Sequence, residues 1–218
     1  MIIAVTGLVR EARIADAPGV KTIAGGGKAS LAAKLEQALG EGAKGIISIG
    51  IAGGLSPRLA SGDCVIASEV LSGGERFATD PAWTARIGAA LPQGIVAAIA
   101  GADAVVLDKN GKADLFRATG AYAVDMESHI VARLARQYRI PFAVLRTIAD
   151  PADRNLPPLV ISALKEDGSV NVPAVLAGLA TRPQDIAALM RTARQSEKAF
   201  ASLLRCRNAL GSLFLGPD

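Results

Sequence analysis

The sequence has few of the side chains that metal, redox and disulfide sites require. It contains two cysteines, Cys64 and Cys206, and a single histidine in 218 residues. The two cysteines lie far apart in the chain and fit neither a zinc-binding nor a redox spacing. We therefore expect free thiols in a reducing compartment, a cytoplasmic protein, and no metal or organic cofactor.

Aromatic residues and long hydrophobic runs are also scarce. Half of the residues are hydrophobic, yet only 4% are aromatic. No apolar stretch reaches the roughly 18 residues of a membrane-spanning helix, and the most apolar region, 94–107, is interrupted by Asp103. Residues 1–7 lack the basic leader of a secretory signal, so we expect no cleaved segment. The length and apolar content fit one domain over residues 1–218.

Charge of one sign is in excess only near the C-terminus. Residues 181–207 carry six basic and two acidic side chains, which accounts for the whole net charge of +4. A nucleic-acid-binding domain spreads its basic residues more widely, so we expect no nucleic-acid partner. The periodicity predicts a helix over 183–210 with a solvated basic face. The alternative is peripheral contact of that face with an anionic membrane surface.

Strand-like and helix-like segments alternate along the chain. Apolar runs predict strands at 1–7, 20–27, 45–55, 62–71, 94–100 and 140–150. Apolar periodicity and capping residues predict helices at 28–39, 80–91 and 127–138. This alternation predicts an α/β sandwich with a largely parallel sheet.

Glycines follow several of the predicted strands. They are Gly7, Gly25–Gly27, Gly50 and Gly53–Gly54. Each loop by itself is explained by a tight turn, but glycines also let backbone N–H groups approach an anion or a flat ligand. The P-loop pattern fails because Ala29 follows Lys28, and residues 50–55 do not match G-x-G-x-x-G. Together the loops favour a shared ligand site at one edge of the sheet.

Three acidic residues lie at the ends of predicted strands or at the start of the next segment, namely Asp125, Glu127 and Asp150. Acids at such positions are commonly paired or functional, and Arg146 is the expected partner of one of them. Each acid also has an ordinary alternative. Asp125 is a candidate helix N-cap, Glu127 a first-turn acid, and Asp150 a turn residue. Carboxylates among glycine loops suit chemistry at a sugar, because acids protonate leaving groups and bind hydroxyls.

Four motifs at these residues, in order along the chain, resemble those of the nucleoside phosphorylase family. They are GGGKA at 25–29, GIAGGLSPRLASGD at 50–63, VDMES at 124–128 and PFAVLRTIADPAD at 141–153. The sequence is similar particularly to the branch that cleaves methylthioadenosine and adenosylhomocysteine, and its details look closest to the hopanoid-associated phosphorylases. The resemblance implies a three-layer α/β/α sandwich with a central mixed sheet, and cleavage of the N-glycosidic bond of an adenine nucleoside.

The resemblance also implies roles for individual residues. Asp150 would protonate the purine, Glu127 would bind ribose hydroxyls, and Met126 would pack against the sugar of an oxocarbenium-like transition state. The residues implied at the base are Gly53, Gly54, Val105, Val106 and Asp150. The residues implied at a phosphate are Gly7, Arg10, Gly26 and Gly27. His129, which comes after the acids, is expected to be a packing or surface residue.

The nucleophile is where this sequence departs from the hydrolytic branch. Those members have a glutamate near position 12, whereas this chain has Ala12 with Glu11 beside it. We therefore expect phosphorolysis with phosphate as co-substrate, and adenosylhopane as a candidate substrate. The alternatives are a hydrolytic nucleosidase and a catalytically silent purine-binding protein, the latter motivated by Ala12, Ile51 and Ala149. As in the family, we expect a homodimer or higher oligomer.

Overall fold

The structure is a computed structural model that describes residues 1–25, 27–157, 159, 169, 171 and 185–217. Eight strands and six helices follow one another within these residues. They are β1 (Ile2–Thr6), α1 (Val9–Ala15), β2 (Val20–Ala24), α2 (Lys28–Leu39), β3 (Gly45–Gly54), β4 (Cys64–Ser72), β5 (Glu75–Ala78), α3 (Pro81–Ala90), β6 (Ile95–Gly101), α4 (Lys109–Thr119), β7 (Ala123–Asp125), α5 (Ser128–Tyr138), β8 (Phe142–Asp150) and α6 (Ile186–Ala209).

The strands form one mixed sheet in the order β2-β1-β3-β7-β6-β4-β5, and β8 pairs with both β3 and β4. β3 runs parallel to β1 and β8, and its C-terminal end pairs with β7 in the antiparallel sense. β4 runs parallel to β6 and antiparallel to β5 and β8. Because β6 also pairs with β7, the strands β3, β8, β4, β6 and β7 close a ring. The predicted mixed sheet is confirmed.

Helices cover both faces of this sheet. On one face, α2 and α5 bury a set of aliphatic side chains that includes Leu31, Leu35, Val131 and Leu134. On the other face, α1, α3 and α6 bury a set that includes Ala15, Trp83, Ile87, Leu203 and Cys206. The predicted three-layer α/β/α sandwich is therefore confirmed. The strands between the layers are almost wholly apolar because both of their faces are covered.

The start of α3 follows from its sequence. A carboxylate oxygen of Asp80 accepts a hydrogen bond of 2.7 Å from the Trp83 N–H, and Pro81 occupies the first helical position. Both features stabilise a helix N-terminus. The indole of Trp83 is fully buried and donates to the Phe214 carbonyl at 2.8 Å, which ties α3 to the C-terminal segment.

Helix α6 begins at Ile186 and ends at Ala209, whereas the prediction was 183–210, of which 183 and 184 lie outside the described residues. Its second half packs on the sheet through Leu203 and Cys206. Three large apolar side chains of α6, Ile186, Met190 and Leu204, are exposed. None of the helices in the described ranges is both long and apolar enough to cross a membrane.

Candidate active site

A cavity of about 500 Å³ lies at the C-terminal ends of β1, β3, β7 and β8. The start of α2 and the loop after β6 form further parts of its wall, and Thr192 and Ser196 of α6 close another side. Ligands of α/β sheets bind at such carboxyl ends of strands. The cavity therefore coincides with the edge at which the sequence placed its glycines and acids.

Most of the predicted site residues line this cavity. They are Gly7, Gly27, Gly53, Val105, Val106, Met126, Glu127 and Asp150. Gly54 is not among the lining residues, because it lies against the side chain of Ile148 and the backbone of Pro151. Gly26 lies outside the described residues.

Arg10, which the sequence placed at a phosphate, does not line the cavity. Its guanidinium binds both carboxylate oxygens of Glu197 in α6, with a distance of 2.7 Å from NH2 to Oε2. The same guanidinium lies over the ring of Phe200, 4.2 Å from its centroid. Arg10 therefore joins α1 to α6 at the surface instead of facing a ligand.

Glu11 lines the cavity, although the sequence analysis noted it only as the neighbour of Ala12. Its Oε2 accepts from the N–H groups of Gly7 at 2.9 Å and Leu8 at 2.8 Å, and its Oε1 accepts from the Ile51 N–H at 2.7 Å. A glutamate therefore does reach the cavity, from position 11, and the alanine at position 12 does not exclude hydrolysis. The sequence does contain one indication of this role. Glu11 comes three residues after the helix N-cap, Leu8, and a glutamate at that position turns its side chain back towards the cap.

Burial and hydrogen bonding act on the pKa of Glu11 in opposite directions. The side chain is fully enclosed, and this desolvation raises the pKa of Glu11, while the three N–H donors and Arg146 oppose the rise. Gly50 of β3 lies directly beneath the carboxylate, where an added Cβ would come within 2.6 Å of Oε1. A glycine at position 50 is therefore what allows the acid to enter.

Glu127 faces Glu11 across Gly7. A Cβ on Gly7 would lie 2.6 Å from the Glu127 Oε1, so this glycine also makes room for an acid. Burial and the neighbouring charge of Asp125 raise the pKa of Glu127 to about 8, against the opposing effect of Arg146. The nearest guanidinium nitrogen of Arg146 is 3.8 Å from Glu127 Oε2.

A fully buried arginine organises the segment that carries Glu127. Arg146 donates from Nε to Asp125 Oδ2 at 2.6 Å and from NH2 to the hydroxyls of Ser48 at 2.6 Å and Ser128 at 3.2 Å. The other oxygen of Asp125 accepts from the N–H groups of Glu127 and Ser128. The expected pairing of Arg146 with one of the acids is confirmed. The N-cap of α5, however, is Glu127 and not Asp125, and Glu127 does not lie in the first turn of the helix. Asp125 thus serves the structure of the site, and Glu127 remains free to face the cavity.

Asp150 occupies the end of β8 at an irregularity in the strand. Ala52 of β3 pairs with Ile148, but Gly53 pairs with Asp150, so Ala149 is an extra residue in β8. Such a bulge re-aims the next side chain. Lys112 Nζ of α4 lies 2.5 Å from Asp150 Oδ2. Burial raises the pKa of Asp150, and the charge of Lys112 opposes that rise.

His129 is enclosed rather than exposed to the cavity, so the expectation of a packing residue is confirmed. Its Nε2 lies 3.0 Å from Asp103 Oδ1, and Asp103 also pairs with Lys28 at the start of α2. Burial lowers the pKa of His129, which favours the neutral imidazole. In the part of the chain that the structure describes, no three His, Cys, Asp or Glu side chains are grouped as metal ligands.

Glycines and buried carboxylates around a cavity at strand ends are features of an enzyme that acts on a small molecule. The sequence profile of the phosphorylase superfamily matches residues 19–205, and the chain therefore belongs to this superfamily. The match includes Asp125, Glu127 and Asp150 and begins after Glu11.

Solved structures of similar fold come from several bacteria. The futalosine hydrolase of Helicobacter pylori strain 26695 superposes with a TM-score of 0.70, at 17% identity and with 96% of each chain covered. The 5′-methylthioadenosine/S-adenosylhomocysteine nucleosidase of Neisseria meningitidis gives 0.67, at 18% identity, with 97% of this chain and 98% of that chain covered. The S-adenosylhomocysteine nucleosidase of Streptococcus pyogenes gives 0.61 at 22% identity, with 92% and 95% covered. At these identities the likeness concerns the fold.

Proposed function

We propose that the protein hydrolyses the N-glycosidic bond of a purine nucleoside, with Glu11 as the residue that orients and deprotonates water. The observation that carries this proposal is the Glu11 carboxylate, fixed by three backbone N–H groups in the cavity wall. It favours hydrolysis over the phosphorolysis expected from the sequence. The names of the similar structures, two nucleosidases and a futalosine hydrolase, support the same reaction class.

The hydrogen bonds of Glu11 leave room for one more donor. An ionised carboxylate offers about four lone-pair sites. Three of these accept the N–H groups of Gly7, Leu8 and Ile51, so one site remains for a water in the cavity. A raised pKa brings the carboxylate closer to the working pH, where a general base is most effective.

The same surroundings disfavour a phosphate nucleophile. Glu11, Asp125 and Glu127 all interact electrostatically with one buried cation, Arg146. The acids outnumber this cation, so an approaching phosphate would be repelled. Gly7 was predicted from the sequence to bind phosphate, but its N–H already donates a hydrogen bond to Glu11. Among the described residues that line the cavity, Lys28 is the only basic one.

The other two acids suit the sugar and the leaving base. Glu127 lies beside Met126 in the wall, and we assign these two residues to the ribose hydroxyls and to the apolar sugar face. Asp150, which is enclosed next to Gly53, is assigned to protonation of the base. In its ionised form, a carboxylate on the sugar side also stabilises the positive charge that develops as the glycosidic bond breaks.

Most of the remaining wall is apolar, which supports a substrate with an apolar 5′ substituent. Its side chains are Leu8, Leu31, Ile51, Val105, Val106, Val124, Ile130 and Leu156. Adenine as the base and adenosylhopane as the nucleoside remain predictions from the sequence resemblance. A panel of 5′-substituted adenosines, extending from methylthioadenosine to adenosylhopane, ranks these substituents by kcat/KM.

The variant Glu11→Gln tests the proposal, because glutamine retains the size of the side chain and removes its capacity as a base. We expect adenine release in phosphate-free buffer to fall by roughly 10²-fold or more, in line with general-base contributions. The matched control is Arg10→Gln, which removes a charge from the same helix at a position that does not line the cavity. Release that survives in Glu11→Gln at the wild-type rate contradicts the proposed role.

The second candidate is phosphorolysis, which the start of α2 supports. Gly27 and Lys28 lie in the cavity wall at this helix N-terminus, and helix N-termini attract anions. Phosphorolysis predicts no adenine release without phosphate and a ribose 1-phosphate product. A protein that binds adenine and releases none from any nucleoside in the panel is the silent binding protein.

A further inference from the structure

A lysine inside the protein contacts the proposed general acid, and no motif marks it. Lys112 of α4 is fully buried, and its Nζ lies 2.5 Å from Asp150 Oδ2. The same ammonium is 3.1 Å from the carbonyl oxygens of Pro151 and Arg154 and 3.4 Å from that of Asp150. A buried lysine is costly unless it is paired in this way, so the contact requires an explanation.

The surrounding segments hold α4 in the position that this contact needs. Lys112 is the only fully buried residue of the helix, and Leu115 and Phe116 are partly buried against the apolar cluster that includes Ala121 and Val124. Asp108 caps α4 through the N–H groups of Asn110 and Gly111, at 3.0 and 2.9 Å. The residues after Asp150 bind the start of the helix, since Asn155 Oδ1 accepts from the Lys109 N–H at 2.9 Å.

We propose that Lys112 is a positioning residue for Asp150, which it holds by Oδ2 so that Oδ1 carries the proton to the base. The inference rests on the proposed function. In the reaction, the glycosidic electron pair leaves on the base, and a base nitrogen takes the proton from Asp150. Water adds its hydroxyl to the sugar carbon and its proton goes to Glu11. Asp150 is left as a carboxylate, which the ammonium of Lys112 stabilises as the charge develops.

The charged groups around Asp150 are few. Gly53 of β3 lies next to it and carries no charge, and Asp153 and Arg154 in the following loop pair with each other at 3.4 Å. Within the described residues, Lys112 is the only charged side chain at ion-pair distance from Asp150. Burial raises the pKa of Asp150 and Lys112 lowers it, so removal of the lysine charge raises that pKa further.

Direct titration of Asp150 tests this inference without requiring turnover. The carboxyl carbon of Asp150 is followed by NMR against pH and identified by its absence in Asp150→Asn. We expect its pKa in Lys112→Gln to be at least about one unit higher than in the wild type. If Lys112→Gln does not fold, Lys112→Met takes its place, because methionine has a side chain of similar length without the charge. Lys109→Gln removes an exposed charge from the same helix and should leave the titration unchanged.

Kinetics separate a positioning role from a merely structural one. A weaker acid stays protonated to higher pH, so the alkaline limb of kcat/KM should move up by the same interval in Lys112→Gln. The plateau of kcat should fall roughly ten-fold, because the proton is given up less readily. An unchanged Asp150 titration, or a lower kcat with an unmoved alkaline limb, overturns the inference. If the wild type cleaves no nucleoside, the proposed function fails, while the titration still decides the coupling between the two residues.

Discussion

At the residue scale, the site depends on acids that the backbone accommodates and holds. Glu11 enters above Gly50, and Glu127 enters beside Gly7, because neither glycine has a Cβ to block the carboxylate. Backbone N–H groups and one buried arginine then offset part of the cost of burying these acids. The raised pKa values in the cavity are a consequence of this arrangement.

Glu127 should make the stability of the protein depend on pH. Its pKa in the folded protein is about 8, well above that of an unfolded glutamate, so the folded state binds more protons between these values. Its contribution to stability is therefore present at low pH and is lost as the pH rises towards 8. We expect Tm to fall between pH 5 and pH 8, and to fall less in Glu127→Gln, as thermal unfolding in matched buffers will measure.

The control for this prediction is Glu36→Gln, a change at an exposed position of α2. It should retain the wild-type dependence of Tm on pH. Glu11 and Asp150 also have raised pKa values, so a smaller slope of the same sign should persist in Glu127→Gln. A Tm that rises from pH 5 to pH 8 in the wild type, or an unchanged slope in Glu127→Gln, contradicts this role of Glu127.

The sequence identified some of these residues and missed others for physical reasons. Glu127 and Asp150 lie next to apolar strands, so pattern and resemblance both found them, whereas Met126 was found by the resemblance alone. Glu11 could be recognised only by knowing which face of helix α1 points to the cavity, because a shift of one residue changes the side chain that enters it. Lys112 is 38 positions from its partner Asp150, in a mostly polar helix, and only the folded chain brings the two together.

At the scale of elements, strongly patterned segments were predictable and short or polar ones were not. The long apolar strands and helices α2, α3 and α5 appear close to their predicted limits. Helix α1 spans 7 residues and β5 only 4, too few for a periodicity to emerge. Helix α4 is mostly polar, and β7 is a 3-residue strand whose pairing depends on distant β3 and β6.

The cap of α3 should contribute measurably to stability. Asp80→Ala removes the acceptor for the Trp83 N–H, and we expect the free energy of unfolding to fall by about 1 kcal/mol. Urea unfolding of both proteins gives this difference. Asp185→Ala is the matched control, since Asp185 precedes α6 without a side-chain capping bond in the part of the chain that the structure describes. Equal losses in the two variants, or none in Asp80→Ala, contradict the prediction.

At the scale of the whole molecule, the closed ring of strands brings distant acids to one place. Glu11 follows β1, Glu127 follows β7 and Asp150 ends β8, and pairing through β3 draws these strand ends together. The layers and the mixed sheet follow from pattern and resemblance. The pairing of β3 with both β7 and β8 joins segments that are distant in the chain, and no local sequence pattern predicts it. Self-association and contact of α6 with a membrane surface stay predictions.

The proposed mechanism requires that water, rather than phosphate, attacks the sugar. The most direct test measures adenine release from a 5′-substituted adenosine by the wild-type protein across a phosphate titration that starts from phosphate-free buffer. We predict the same rate throughout, with free ribose derivative as the product, because Glu11 holds the nucleophile. A rate that rises from zero with phosphate, together with a ribose 1-phosphate product, would contradict this mechanism. It would instead support phosphorolysis with a phosphate site at Gly27 and Lys28.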